Sequence, residues 1–154
     1  MARLVCVVVL ALCVPEARAE TTVSHAAYVE LFGKGGLWGV GYDAQFDRRL
    51  AAGLAASFYV LDGQRVFSAS PYLAAYLVGE GHHRWFLHAG PQVVRVTTPS
   101  PVPEWPGTVK TGIGAEISSG YEYRRGVLVR IFGMASLGRG GIAPWMGVSL
   151  GWSL

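Results

Sequence analysis

Residues 144 to 154 read Pro144-Trp145-Met146-Gly147-Val148-Ser149-Leu150-Gly151-Trp152-Ser153-Leu154. From Met146 on they alternate. Met146, Val148, Leu150, Trp152 and Leu154 fall on one side of an extended chain, and Gly147, Ser149, Gly151 and Ser153 fall on the other. Successive side chains of a strand point to opposite faces, so one face is bulky and apolar and the other is small. A barrel wall in a bilayer turns the bulky face to lipid and lines its lumen with the small one. A last strand of this kind, ending in a bulky apolar residue, is the pattern expected of a strand inserted into the bacterial outer membrane.

The other end of the chain agrees. Arg3 is followed by an apolar run from Leu4 to Val14, and then by Ala17-Arg18-Ala19, with small residues where a signal peptidase reads. This is a secretory signal peptide, too short and wrongly flanked for a spanning helix. Cleavage is expected after Ala19, leaving one domain over residues 20–154. Both cysteines, Cys6 and Cys13, lie in the export segment. No disulfide or thiol chemistry is therefore expected of the mature chain. Leu12 is too large for the small residue that precedes a lipoprotein cysteine.

Composition narrows the class further. The chain is 51% hydrophobic and 15% charged, with 21 glycines. Yet the mature part has no apolar stretch of the ~20 residues that a spanning helix requires. A membrane barrel accounts for the excess of apolar side chains. The net charge of +3 includes Arg3, Arg18 and Glu16 of the export segment, so the mature charge is close to balanced. Its basic residues are scattered, and nucleic-acid binding is not expected.

Period-two alternation divides the mature chain into eight segments: 27–33, 37–46, 50–61, 65–78, 83–96, 108–123, 126–135 and 145–154. Gly-, Asp- and Arg-rich turns separate them, with one long Pro-rich connection, 97–107, read as an exposed loop. The predicted fold is all-β, an eight-stranded antiparallel up-and-down transmembrane β-barrel. Both termini then lie on the periplasmic side and the 97–107 loop lies outside. Residues 48–61 also carry a helical spacing in Leu50, Leu54 and Phe58; Gly53 and Phe58-Tyr59-Val60 favour a strand. Pro71 and Pro91 fall inside strands, where each removes a ladder donor, and are expected to mark bulges or bends.

Parity then assigns faces. Glu30, Asp43, His88, Gln92, Lys110, Glu116, Glu122 and Arg130 are expected to point into the lumen. An eight-stranded barrel is just wide enough for side chains to fill, and buried charges must pair. The expected interior is a polar plug in which Arg130 and Lys110 bridge the four acids. Aromatics expected at the membrane interface are Tyr42, Trp85, Tyr121, Tyr123 and Trp152 at one rim, and Trp38 and Trp145 at the other.

The stretches Val29-Glu30-Leu31-Phe32-Gly33-Lys34-Gly35-Gly36-Leu37, Gly41-Tyr42-Asp43, Leu77-Val78-Gly79-Glu80-Gly81-His82-His83-Arg84, Leu87-His88-Ala89-Gly90, Gly120-Tyr121-Glu122-Tyr123-Arg124, Val129-Arg130-Ile131 and Pro144 to Trp152 have a common counterpart. In that order they resemble the small outer-membrane β-barrel proteins of Bacteroidetes-like bacteria, a mostly uncharacterised family. The resemblance covers nearly the whole mature chain. It departs at Glu122, where the family usually has a basic residue, and at Leu154, where it usually ends in an aromatic. It implies a membrane barrel and brings no catalytic residues with it.

The function classes follow. Expected partners are the lipid bilayer of the outer membrane with its lipopolysaccharide, and the barrel assembly machinery through the C-terminal strand; the chain is expected to be a monomer. A general porin needs about sixteen strands, so that role is not expected. A lipid-A-modifying hydrolase is the alternative from another class, with His88, Ser57, Ser68, Ser70 and Glu116 as candidates; Gly147-Val148-Ser149-Leu150-Gly151 has the spacing of a Gly-x-Ser-x-Gly elbow but does not supply one, since its Ser faces inward with other small residues. A soluble exported barrel binding an apolar ligand is a third reading. No catalytic, metal or cofactor residues are assigned: His82-His83 lacks a third ligand nearby, and Lys34-Gly35-Gly36 lacks phosphate-loop spacing.

Overall fold

The computed structural model of the chain describes residues 23–34, 36–102 and 104–154. The expected export segment, 1–19, lies outside the described residues. Eight strands follow one another: β1 (Ser24–Gly33), β2 (Gly36–Gln45), β3 (Leu50–Leu61), β4 (Gln64–Val78), β5 (His83–Thr98), β6 (Thr108–Arg125), β7 (Val127–Gly138) and β8 (Gly141–Ser153). Each pairs antiparallel with the next, and β1 pairs with β8, so the sheet closes into an eight-stranded barrel. Closure leaves no open sheet edge, the condition for a strand wall in a bilayer. Within the 48–61 stretch, Leu50–Leu61 forms β3, whose small inward face of Ala51, Ala55 and Ser57 is buried.

The seam between the first and last strands shows how the faces are set. Ala27↔Trp152, Val29↔Leu150 and Leu31↔Val148 stand together on the outer surface, whereas Tyr28↔Gly151 and Glu30↔Ser149 stand together inside. Trp152 is 68% exposed and Ser149 is 0% exposed. The same inversion runs round the wall: Val40, Leu54, Leu73 and Ile131 are exposed, while Asp43, His88 and Arg130 are buried. Apolar side chains outside and ions inside are the reverse of a water-soluble core.

Local chemistry closes the hairpins. Asp62 and Gly63 both have positive φ, 49° and 76°, which is the two-residue turn that matches strand twist between β3 and β4. Asp47 accepts a hydrogen bond from the Arg49 amide at 2.9 Å in the β2–β3 turn. The two prolines behave differently from the expected bulges. The β4–β5 register runs from Ala69↔Val93 to Leu73↔Ala89 with no ladder pairing between them, and Pro71 and Pro91 sit in the middle of that gap. The register shift in this pair lies elsewhere, between Tyr76 and Val78. A proline has no amide hydrogen to give, so two of them face to face open the ladder without shifting its register.

Candidate functional site

Inward parity on β2, β6 and β7 brings four charged side chains together. Arg130 on β7 donates through Nε to Glu122 Oε2 at 2.6 Å and through Nη2 to Asp43 Oδ2 at 2.5 Å. Arg124 on β6 donates through Nη2 to Asp43 Oδ1 at 2.6 Å, and its Nε forms an ion pair with Glu122 Oε1 at 3.2 Å. β2 and β6 stand on opposite sides of the closed strand order, so these contacts cross the lumen. All four residues are buried. Two guanidiniums against two carboxylates leave the group neutral, which is what makes charges tolerable in a dry interior. Tyrosines extend the lattice: Tyr76 donates to Glu122 Oε2 at 3.2 Å, Tyr72 donates to Asp43 Oδ2 at 3.3 Å, and the Tyr28 and Tyr72 hydroxyls are 2.8 Å apart. The Arg130 guanidinium also lies over the Tyr28 ring, 5.0 Å from its centroid.

A second ion pair lies toward the end of the barrel that carries the 99–107 loop. Lys34, in the β1–β2 turn, folds inward and places Nζ 3.2 Å from Glu30 Oε2. Its backbone amide donates to the other Glu30 oxygen, and Ser149 donates to Oε2 at 3.1 Å. The ammonium stands 4.8 Å from the ring centroids of both Tyr72 and Phe132. Gln92 donates to the Lys34 carbonyl at 2.7 Å. Between the two ionic groups His88 is stacked on Tyr72 and Phe86, with centroid distances of 4.6 and 4.1 Å. Inward glycines make room for these rings. A Cβ at Gly41 would overlap the Tyr28 ring, and one at Gly53 would overlap the Tyr72 ring.

Beyond Lys34 the lumen widens. A cavity of ≈ 510 Å³ is bordered by Gln92, Gly114, Ser136 and Arg139, and a neighbouring one of ≈ 200 Å³ by Lys34, Tyr59, Gln92 and Trp145.

The sequence-derived residues fall as follows. Glu30, Asp43, His88, Glu116, Glu122 and Arg130 are buried, and Gln92 is half-buried. Lys110 is a correction: it shares the parity of Glu116 but is exposed, because β6 continues past the packed part of the lumen. The bridge expected of Lys110 is made by Lys34 and Arg124. Trp145 is a second correction. It has the parity of Gly147 and Ser149, opposes Met134, and borders the lumen mouth instead of the outer wall. Trp38, Tyr42, Trp85, Tyr121 and Trp152 are exposed, and Tyr123 is half-buried on the outward side of β6.

Arg124, Tyr72 and Tyr76 were missed by sequence reasoning although parity reaches them, Arg124 from Glu122 and the tyrosines from Ser70. Lys34 shares the parity of Glu30 but lies past the end of β1, in the Gly-rich turn, where alternation is no guide. Its inward turn follows Phe32, whose φ of 51° breaks the alternation. His88 and Ser118 bury polar atoms without a hydrogen-bond partner among the described residues, and Glu116 is buried beside the Ser70 hydroxyl. The hydrolase candidates do not meet as a relay. The Ser57 and Ser68 hydroxyls contact each other at 3.0 Å, and neither His88 nitrogen is hydrogen-bonded among the described residues.

No protein-family model and no curated protein matches the chain. Solved structures do match it. The N-terminal β-barrel domain of Pseudomonas aeruginosa OprF is similar with a TM-score of 0.67 at 15% identity, over 86% of this chain and 96% of that one. Neisserial surface protein A, NspA, is similar with a TM-score of 0.55 at 11% identity, over 86% of this chain and 94% of that one. The likeness is one of fold. The chain is a closed eight-stranded antiparallel barrel, as those structures are similar to it along nearly their whole length.

Proposed function

We propose that the chain is an integral barrel of the bacterial outer membrane, exported by residues 1–19, with a structural or surface-interaction role and no general pore activity. One observation carries this reading: the apolar face of the sheet is the exposed one, while a neutral lattice of Asp43, Glu122, Arg124 and Arg130 crosses the lumen. Lipid is the solvent that makes such an exterior stable. A lumen crossed by paired ions and packed rings leaves no wide aqueous path. The fold shared with the OprF domain and with NspA supports the membrane setting, and the sequence resemblance to small Bacteroidetes-like barrels points the same way. The termini and the turns at 46–49, 79–82 and 126 then face the periplasm, and the 99–107 loop faces outward. The partners in this reading are lipid and, through β8, the assembly machinery.

The test is detergent dependence with electrophoretic mobility. The folded protein is expected to require detergent or lipid and to shift mobility on boiling. A chain that stays soluble and folded in buffer without detergent overturns the reading in favour of a soluble ligand-binding barrel. In planar bilayers a steady conductance of general-porin size would overturn the closed lumen.

A further inference from the structure

The outer wall carries a polar group at its loop end. On β4, β5 and β6 the register sets Phe67↔Arg95↔Thr111 in one row and Arg65↔Thr97↔Val109 in the next. All six positions have outward parity. Arg65, Arg95 and Thr111 are exposed, and Thr97 is half-buried. Below this group, toward the middle of the wall, stand Val93↔Ile113, and beside it on β3 stand Phe58↔Phe67 and Val60↔Arg65. Two guanidiniums and two hydroxyls thus lie together against an apolar, aromatic surface. The two arginines are diagonal neighbours on adjacent strands, roughly 7 Å apart at the backbone. Neither forms an ion pair among the described residues.

Their height on the barrel is set by the same strands. Trp85↔Tyr121 is the aromatic row near the opposite rim, and Arg95 and Thr111 each stand ten residues along their strands from it. At ~3.3 Å rise per residue and a strand tilt of ~40°, ten residues climb about 25 Å, the height of the apolar band of a membrane barrel. Arg95 therefore stands where hydrocarbon gives way to headgroups, and Arg65 stands one row farther out. Like charges held this close repel one another unless an anion lies between them. At that level the anion a bilayer offers is phosphate, which guanidinium recognises through paired N–H donors.

We propose that Arg65 and Arg95, assisted by the hydroxyls of Thr97 and Thr111, hold the phosphate of a lipid headgroup in the leaflet at the loop end, with its acyl chains lying on Phe67, Val93 and Ile113. The inference rests on the membrane reading above and names the lipid chemistry that this part of the wall selects. Lipid A, whose phosphates sit on its sugars at headgroup depth, is the probe.

The full chain, folded in detergent micelles, is titrated with lipid A, with dephosphorylated lipid A and with inorganic phosphate, and the bound lipid is counted by native mass spectrometry. Lipid A is expected to be retained about tenfold more tightly than its dephosphorylated form. In the R65Q/R95Q double variant that preference is expected to vanish. Both positions lie on the outer surface, so the variant is expected to keep the heat-dependent mobility shift that reports a folded barrel. Equal retention of the two lipids by the natural chain, or an undiminished preference in a folded double variant, overturns the proposal. Displacement of lipid A by an equimolar amount of inorganic phosphate overturns the assignment to a lipid headgroup. A chain that folds without detergent fails the membrane reading itself, a result seen before any lipid is added.

Discussion

At the scale of the residue, Arg130 holds the interior together. Its guanidinium joins Glu122 on the neighbouring strand to Asp43 across the lumen, and it is fully buried. Removing it leaves two buried carboxylates facing the single positive charge of Arg124. Arg130→Ala is expected to destabilise the folded barrel by about 3–5 kcal/mol, measured by urea titration of tryptophan fluorescence in lipid vesicles. Asp43→Asn is expected to cost less, because the amide oxygen still accepts from one arginine. Gly53 is sensitive for a different reason. The Tyr72 ring occupies the space into which a Cβ would project. Gly53→Val is expected to lose about 1–3 kcal/mol by overpacking, and Tyr72→Ala in the same chain is expected to restore part of that loss. A double-mutant cycle by the same titration checks the coupling. No restoration would mean that the substitution acts on the backbone and not on the ring.

At the scale of the element, β4 and β5 form the least regular pair in the wall. They have 15 and 16 residues, but the ladder opens around Pro71 and Pro91. Strand backbone at Gly90 also comes so close to β4 that a Cβ there would overlap the Pro71 carbonyl and Tyr72 Cα. Amides next to the opening lack one side of their ladder. In hydrogen exchange by mass spectrometry, the segment around Gly90 is expected to exchange about tenfold faster than the facing segment of β7 around Phe132, whose register with both neighbours is continuous. Equal protection would show the prolines to be accommodated without opening. Gly90→Ala is expected to lower the yield of folded barrel more than Gly133→Ala, since a Cβ at Gly133 meets nothing within 4 Å. The heat-dependent mobility shift checks that ranking.

At the scale of the whole molecule, closure and filling support each other. A closed strand order removes the sheet edges, and the small circumference brings side chains from opposite walls within hydrogen-bond reach. Replacing Asp43, Glu122, Arg124 and Arg130 together by well-packed apolar residues of similar size is expected to be near neutral for stability, in contrast to the cost of losing Arg130 alone. Urea titration of the two variants side by side checks this, and a large loss in the fourfold variant would show that the ionic lattice itself stabilises the barrel. The strand count, the turns and the inward or outward sense of each strand were legible in the sequence, because a period of two is local and every residue of a strand reports it. Within one strand, parity also placed Glu122 and Arg130 on the lumen side. Parity carries no information on height or on partners across the lumen. It gave Lys110 the lumen side without showing that the packed interior ends below it, whereas Trp145, expected at the membrane interface as an aromatic, has the inward parity of Gly147 and Ser149 and stands at the lumen mouth. The inward fold of Lys34 depends on one left-handed residue, Phe32, and the link from Asp43 to Arg124 and Arg130 depends on closure. Local alternation of bulky and small side chains thus determined the barrel; the choice of which charges meet inside it was decided by three-dimensional closure, because it brings together residues as far apart in the chain as 43 and 130.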